Sequence, residues 1–123
     1  MAARTGTEEE VERLLSAWFR ERAQEQFSKR LDAWHEWCRE QNLPEPKAHL
    51  RLMPKRWGSA QKDGRIYFNP DLVRTPSICV DYVIAHEVCH LKYPQHDRAF
   101  YRQLEKNFPR WREIKHRLEM SEL

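Results

Sequence analysis

The sequence predicts an α+β domain with a long amino-terminal helix, a small antiparallel sheet of about three strands, and helices that complete the chain. Three observations predict it. No glycine or proline falls between Thr7 and Leu43, and apolar residues recur there at steps of four and three. Between His49 and Asn69 the pattern changes to alternation around an Asp-Gly turn signal. From Thr75 onward helical periodicity returns, broken by Pro94 and Pro109.

The first helix opens on Thr7 as its N-cap, with Glu10 three residues on and Glu8 and Glu9 in the first turn, where carboxylates oppose the helix dipole. Its stripe of Leu15, Phe19, Ala23, Phe27, Leu31, Trp34 and Cys38, widened by Val11, Leu14 and Trp18, predicts a core-facing seam. One long helix, or two with a bend near Gln24 to Gln26, satisfies the pattern. Leu43-Pro44-Glu45-Pro46 is a linker.

His49 to Met53 alternate as a half-buried strand should, and Pro54 ends the run. Two further strands, Arg56-Trp57-Gly58-Ser59 and Arg65-Ile66-Tyr67-Phe68-Asn69, flank the hairpin signal Lys62-Asp63-Gly64. Thr75 then reads as the N-cap of a second helix with Pro76 at its first position. Val80, Ile84, Val88 and Leu91 form its apolar stripe. A third helix starts near Asp97 and carries Phe100, Leu104 and Phe108. The last, after Pro109, carries Trp111, Ile114 and Leu118.

A length of 123 residues supports one domain with a modest core, so residues 1–6 read as a flexible tail and 7–123 as a single folded unit. The net charge of +3 excludes little. Its distribution is less even: between Arg98 and Arg117 seven basic residues face only Glu105 and Glu113. That surplus reads first as a solvated helix face, and second as a surface for DNA or a nucleotide. Cys38, Cys79 and Cys89 form no CxxC unit, so no disulfide partner is expected, and a reducing compartment suits them. No apolar run approaches membrane-spanning length and the first residues hold no apolar leader. The expectation is a cytoplasmic chain without a membrane partner.

The chemistry concentrates at His86-Glu87-Val88-Cys89-His90, an H-E-x-x-H sequence inside the second predicted helix. Residues four apart share a helix face with Cβ atoms ~5–6 Å apart, so two imidazoles converge on one ion at about 2.0–2.1 Å. Glu87, one residue round, is offset from that pair and reaches a water rather than the ion. His96 follows at a distance from which the chain, broken by Pro94, folds back as a third ligand. Three neutral ligands leave one Zn²⁺ its full charge and one open position, the arrangement of a catalytic site. The expected chemistry is metal-activated water attacking a peptide carbonyl, with Glu87 as general base. Tyr82 and Tyr93 are candidate oxyanion donors. Cys89 points away from the histidine pair and reads as core. His35, His49 and His116 are isolated and read as surface or structural residues. The fold expectation sharpens accordingly to a minimal zincin-like domain.

The residues also resemble a family, the YgjP-like metallopeptidase domain, a relative of the SprT-like zinc proteases. The resemblance covers roughly Arg56 to Leu118. It is carried by Arg56-Trp57-Gly58-Ser59, Phe68-Asn69, the lead Asp81-Tyr82-Val83-Ile84-Ala85 into H-E-x-x-H, and then His96 and Phe100. It implies that His86, His90 and His96 hold the metal, that Glu87 is the catalytic carboxylate, and that the partner is a peptide or protein substrate. Two departures stand out. Ala60 occupies the place where the family usually has cysteine, and the chain resembles the catalytic part of often longer members.

Two rival functions remain open at this level. A metal-dependent nucleoside triphosphate pyrophosphohydrolase would use Lys55, Arg56 and Arg65 on phosphates, although imidazole ligands favour zinc over magnesium. A non-catalytic, metal-stabilised module associated with nucleic acid would need the three histidines and have no use for Glu87.

Overall fold

A computed structural model describes residues 6–120; the proposed tail lies, apart from Gly6, outside the described residues. The elements run in the order α1 (Gly6–Glu40), β1 (Lys47–Leu50), β2 (Gly58–Ala60), β3 (Arg65–Phe68), a 3-10 turn (Pro70–Arg74), α2 (Ser77–Lys92), α3 (Arg98–Glu105) and α4 (Trp111–Glu119). The α+β class, the long first helix, the small sheet and the carboxy-terminal helices are those expected. Among the described residues no helix is long and apolar enough to cross a membrane.

α1 is a single unbroken helix, and the described part already includes Thr7 within its first turn, so Thr7 is not the N-cap. Ala23, Phe27, Trp34 and Cys38 are buried along its inner face as the stripe requires. The same stripe is not core-facing further upstream, where Val11, Leu14, Leu15 and Trp18 are all exposed. The reason is reach. The 3-10 turn is the outermost layer under this helix, with the Arg74 guanidinium 4.1 Å above the Phe19 ring, and the amino-terminal turns overhang it. Two residues of α1 fix it to α2. Asp81 accepts two hydrogen bonds of 2.9 Å from Arg30 and one of 3.3 Å from Trp34 Nε1.

The sheet is mixed rather than wholly antiparallel. β2 and β3 form the expected hairpin, with Ser59 opposite Tyr67, but β1 pairs in parallel with β3 and the strand order is β1-β3-β2. A simple meander would put β2 in the middle. β3 takes that place because Ile66 and Phe68 are fully buried, so it is the strand that gains most from neighbours on both edges. β1 runs in the same direction as β3 and pairs with it on the far side. The first strand also ends earlier than the alternation suggested, at Leu50. Gly64, at φ +95°, supplies the left-handed residue that the hairpin turn needs.

Asn69 holds the segment between β1 and β2 in place. Its buried amide donates to the carbonyls of Met53 (2.9 Å) and Arg56 (3.1 Å), while its Oδ1 accepts from the Asp71 N–H (3.0 Å). The 3-10 turn that follows was absent from the sequence reading. It displaces the start of α2: Thr75 closes that turn, its hydroxyl donating to Leu72, and Pro76 rather than Thr75 is the N-cap of α2. All three cysteines are free and buried.

Candidate metal centre

α2 is buried along most of its length, from Cys79 to Cys89, which fixes its backbone and therefore the His86 and His90 side chains. Their ring centroids lie 4.9 Å apart, one helical turn from each other. Pro94 prevents the helix from continuing, and Tyr93 closes it in an extended conformation with its N–H on the Cys89 carbonyl. The chain turns, and Asp97 opens α3 as its N-cap by accepting from the Phe100 N–H at 3.0 Å. This turn brings His96 back over α2, its Nε2 3.3 Å from the Nε2 of His86 and its ring 4.5 Å from that of His90.

The three histidines thus offer one nitrogen each within 4.8 Å of one another. Their tautomers follow from the surroundings. His90 Nδ1 lies 3.3 Å from the Tyr93 carbonyl, which only accepts, so Nδ1 carries the hydrogen and Nε2 keeps its lone pair. Phe100, fully buried, is a shared floor: its ring is 5.0 Å from His86, 4.6 Å from His90 and 5.0 Å from His96.

Burial, reinforced by His90 and His96, holds the His86 imidazole down to about 3, and burial likewise lowers His90. Both rings are therefore neutral at physiological pH. Neutral rings with two Nε2 atoms facing each other suit a shared cation, and the spacing agrees. Two nitrogens each ~2.05 Å from a tetrahedral ion are about 3.3 Å apart. His86 Nδ1 is buried and meets no partner among the described residues, so that side of the ring is held by packing alone. The donor set is all imidazole, which suits zinc better than magnesium or calcium.

Glu87 is only 8 % exposed but opens into the same cleft as the histidines. Burial pushes its carboxyl up to about 7, with Arg56 pulling the other way. Its aliphatic stem packs against Gly58. A Cβ at that position would stand 2.9 Å from Glu87 Cγ and 3.1 Å from Val83 Cγ1. Gly58 therefore lies directly against α2, with no room for a side chain between them.

The cleft encloses about 830 Å³ between β2, α2, the 94–96 turn and α4. Trp57, Tyr82, Val83, Leu91 and Leu118 supply its apolar wall, and Arg56, Lys62, Lys115 and Glu119 its charged groups. Tyr82 lines it, its ring 5.8 Å from His86 and its hydroxyl pushed up to about 12 by burial. Tyr93 is not among the lining residues and acts through its backbone carbonyl. Cys89 is core. His49 stacks near Tyr67, away from the cluster. In the basic carboxy-terminal run, Arg110 pairs with Glu113 and Lys115 with Glu119, and Arg112 lies over Trp111. A second hollow of about 690 Å³, bordered by Arg30, Trp34 and Asp81, shares no residue with the cleft.

Lys115 belongs to the basic run noted in the sequence, but nothing there placed it at the site, which it reaches from a helix that starts fifteen residues after His96. For Phe100 a signal existed: four residues after His96 on a helix capped by Asp97, it had to face the same way.

No curated protein sequence matches the chain. Among solved structures, that of the metallopeptidase zymogen of Pyrococcus abyssi abylysin is similar, with a TM-score of 0.64 and 25% identity over 72% of this chain and 90% of that one. The family model described as YgjP-like, metallopeptidase domain matches residues 2–121, nearly the whole length. With a metallopeptidase as structural neighbour and three imidazoles gathered at one point, the chain belongs to the YgjP-like metallopeptidase domain family.

Proposed function

We propose that this chain is a zinc-dependent peptidase in which His86, His90 and His96 hold one ion and Glu87 is the general base. The observation that carries the reading is the meeting, in one cleft, of three imidazole nitrogens with a buried carboxyl. When bound there, zinc supplies Lewis-acid polarisation of the substrate carbonyl and makes water a stronger acid. The protein residues do the rest. Glu87 accepts a proton from the attacking water as the new C–O bond forms, then passes it to the amide nitrogen, after which the C–N bond breaks and the amine leaves. Without an ion, burial raises that carboxyl to about 7; the charge of a bound ion would draw it back toward the ionised form that accepts the proton.

Substrate is held by the free edge of the sheet. β2 is an edge strand and lines the cleft. Its ladder to β3 uses Trp57 and Gln61, whose partners are Asn69 and Arg65. Alternation then turns the N–H and C=O of Gly58 and Ala60 outward, where an extended peptide adds as a further strand. Trp57, Tyr82 and Leu118 give that peptide an apolar surface.

The test joins metal analysis to peptide hydrolysis. Wild type should bind one zinc and cleave an unfolded protein. Glu87→Gln should keep the zinc and lose at least about a hundredfold in kcat. His96→Ala should lose both. Full activity of Glu87→Gln with zinc bound would refute the assignment of the base.

A further inference from the structure

We infer that the cleft selects peptides with acidic side chains on both sides of the scissile bond, read by Arg56 and Lys62. This rests on the peptidase reading above and adds the substrate class.

The argument is one of uncompensated charge. Three cations line the cleft: Arg56, Lys62 and Lys115. Lys115 is partnered, with Nζ 3.9 Å from Glu119, the cleft's second carboxylate. Arg56 and Lys62 form no ion pair among the described residues, and both side chains are exposed to incoming substrate. Lys62 sits in a turn where the one nearby carboxylate, Asp63, is already engaged by Arg65 at 2.7 Å. The remaining carboxyl, Glu87, lines the cleft and feels the Arg56 charge, but it is buried, belongs to the proposed catalytic group and forms no ion pair with Arg56.

Position makes the charge selective. Arg56 stands two residues before β2 and Lys62 two residues after it. A peptide paired to the outward groups of Gly58 and Ala60 therefore meets a cation beyond each end of the three-residue edge. Acidic side chains there gain complementarity on both sides of the bond, while basic ones are repelled twice. Exposed pairs of this kind are individually weak, so two acting together amount to about a tenfold preference at low salt. The preference is expected in KM, because neither cation touches the reacting atoms.

The experiment compares three peptides of equal length in the zinc-loaded full chain, with Glu, Gln or Lys at the second and third positions on each side of the bond. Wild type should favour Glu over Gln about tenfold in kcat/KM at low ionic strength, through KM, with the ratio falling toward one at high salt. Arg56→Gln and Lys62→Gln should each narrow it, and the Arg56→Glu/Lys62→Glu double variant should favour the Lys peptide. Equal cleavage of the Glu and Gln peptides would overturn the selectivity and leave the peptidase standing. So would a Glu preference that survives the double variant. Cleavage of no peptide, with hydrolysis of a nucleoside triphosphate instead, would remove the peptidase reading and this inference with it.

Discussion

Replacing Gly58 by alanine tests how tightly the sheet edge and α2, which carries the proposed general base, are matched. The added Cβ would sit 2.9 Å from Glu87 Cγ, 3.1 Å from Val83 Cγ1 and 3.3 Å from Glu87 Cδ. Ordinary contact begins near 3.5 Å, so the structure must open by roughly half an ångström or more. Neither neighbour yields easily. Val83 has a stiff branched side chain on a buried turn of α2, and the Glu87 stem is enclosed with it. Overpacking of this kind costs about 1–3 kcal/mol of stability. Activity should suffer more, because a catalytic group displaced by ~1 Å loses on the order of a hundredfold. The expected result is zinc content unchanged, KM little altered, kcat down ten- to a hundredfold, and a midpoint of thermal unfolding lower by several degrees. Metal analysis, steady-state peptide hydrolysis and a thermal scan on the same preparation measure all four. A Gly58→Ala protein with wild-type kcat and an unshifted midpoint would refute the claim that this glycine holds the general base in position.

Three other perturbations follow from the same structure. Burial raises the Glu87 carboxyl from 4.5 to about 7, so its protonated form is favoured by folding. That contribution is complete below pH 4.5 and disappears as pH rises through 7. The gap is worth about 3 kcal/mol. In metal-free protein, Glu87→Gln should therefore match wild type at pH 4 and exceed it by up to about 3 kcal/mol at pH 8, as read by urea unfolding. The His86 contribution is common to both proteins and cancels. A pH-independent difference would contradict the assignment. Asn69→Ala leaves two carbonyls and one N–H without their partners and should cost about 3 kcal/mol, with the zinc-binding stoichiometry of folded protein unchanged. Asp81→Ala removes the acceptor for Arg30 and Trp34 and should cost about 1–2 kcal/mol, measurable in the same urea titration.

The sequence made the histidine cluster legible because its geometry is mostly local. A spacing of four on a helix decides that His86 and His90 share a face, and a proline decides where that helix ends. Asp97 as a cap then fixes the entry to α3. What the pattern left open depends on contacts between distant segments. Alternation located the strands of the hairpin but held no information on which strand is central; burial of Ile66 and Phe68 decided that, and made β1 a parallel neighbour. Periodicity likewise marked Val11 to Trp18 as an inner face, yet the stripe does not say how far the layer beneath it extends. The neighbour of Gly58 was left open for the same reason. A glycine in a strand signals close approach without naming what approaches.

The site's electrostatics bear on why so small a fold keeps such groups inside. A neutral His86 with an unpartnered Nδ1, an Nε2 facing another imidazole and a buried carboxyl one residue away together oppose folding in the absence of a cation. None of them serves the core, which Phe68, Leu72, Ile84 and Phe100 already fill. On the proposed reading the ion reverses each penalty: it engages the imidazole lone pairs, and its charge favours an ionised Glu87. Stability and function are then coupled through one group of residues, and metal affinity becomes part of the folding free energy. The coupling should be uneven along the chain. α2 is enclosed by the core, whereas His96 is exposed and is carried over it by the turn between Pro94 and Asp97, with ring contacts to His86, His90, Phe100 and Tyr101. Metal removal should therefore loosen the 93–97 turn first, so that amide exchange there rises on chelation before that of Val83 to Val88 changes. Equal rates in the turn with and without zinc would place the third ligand elsewhere.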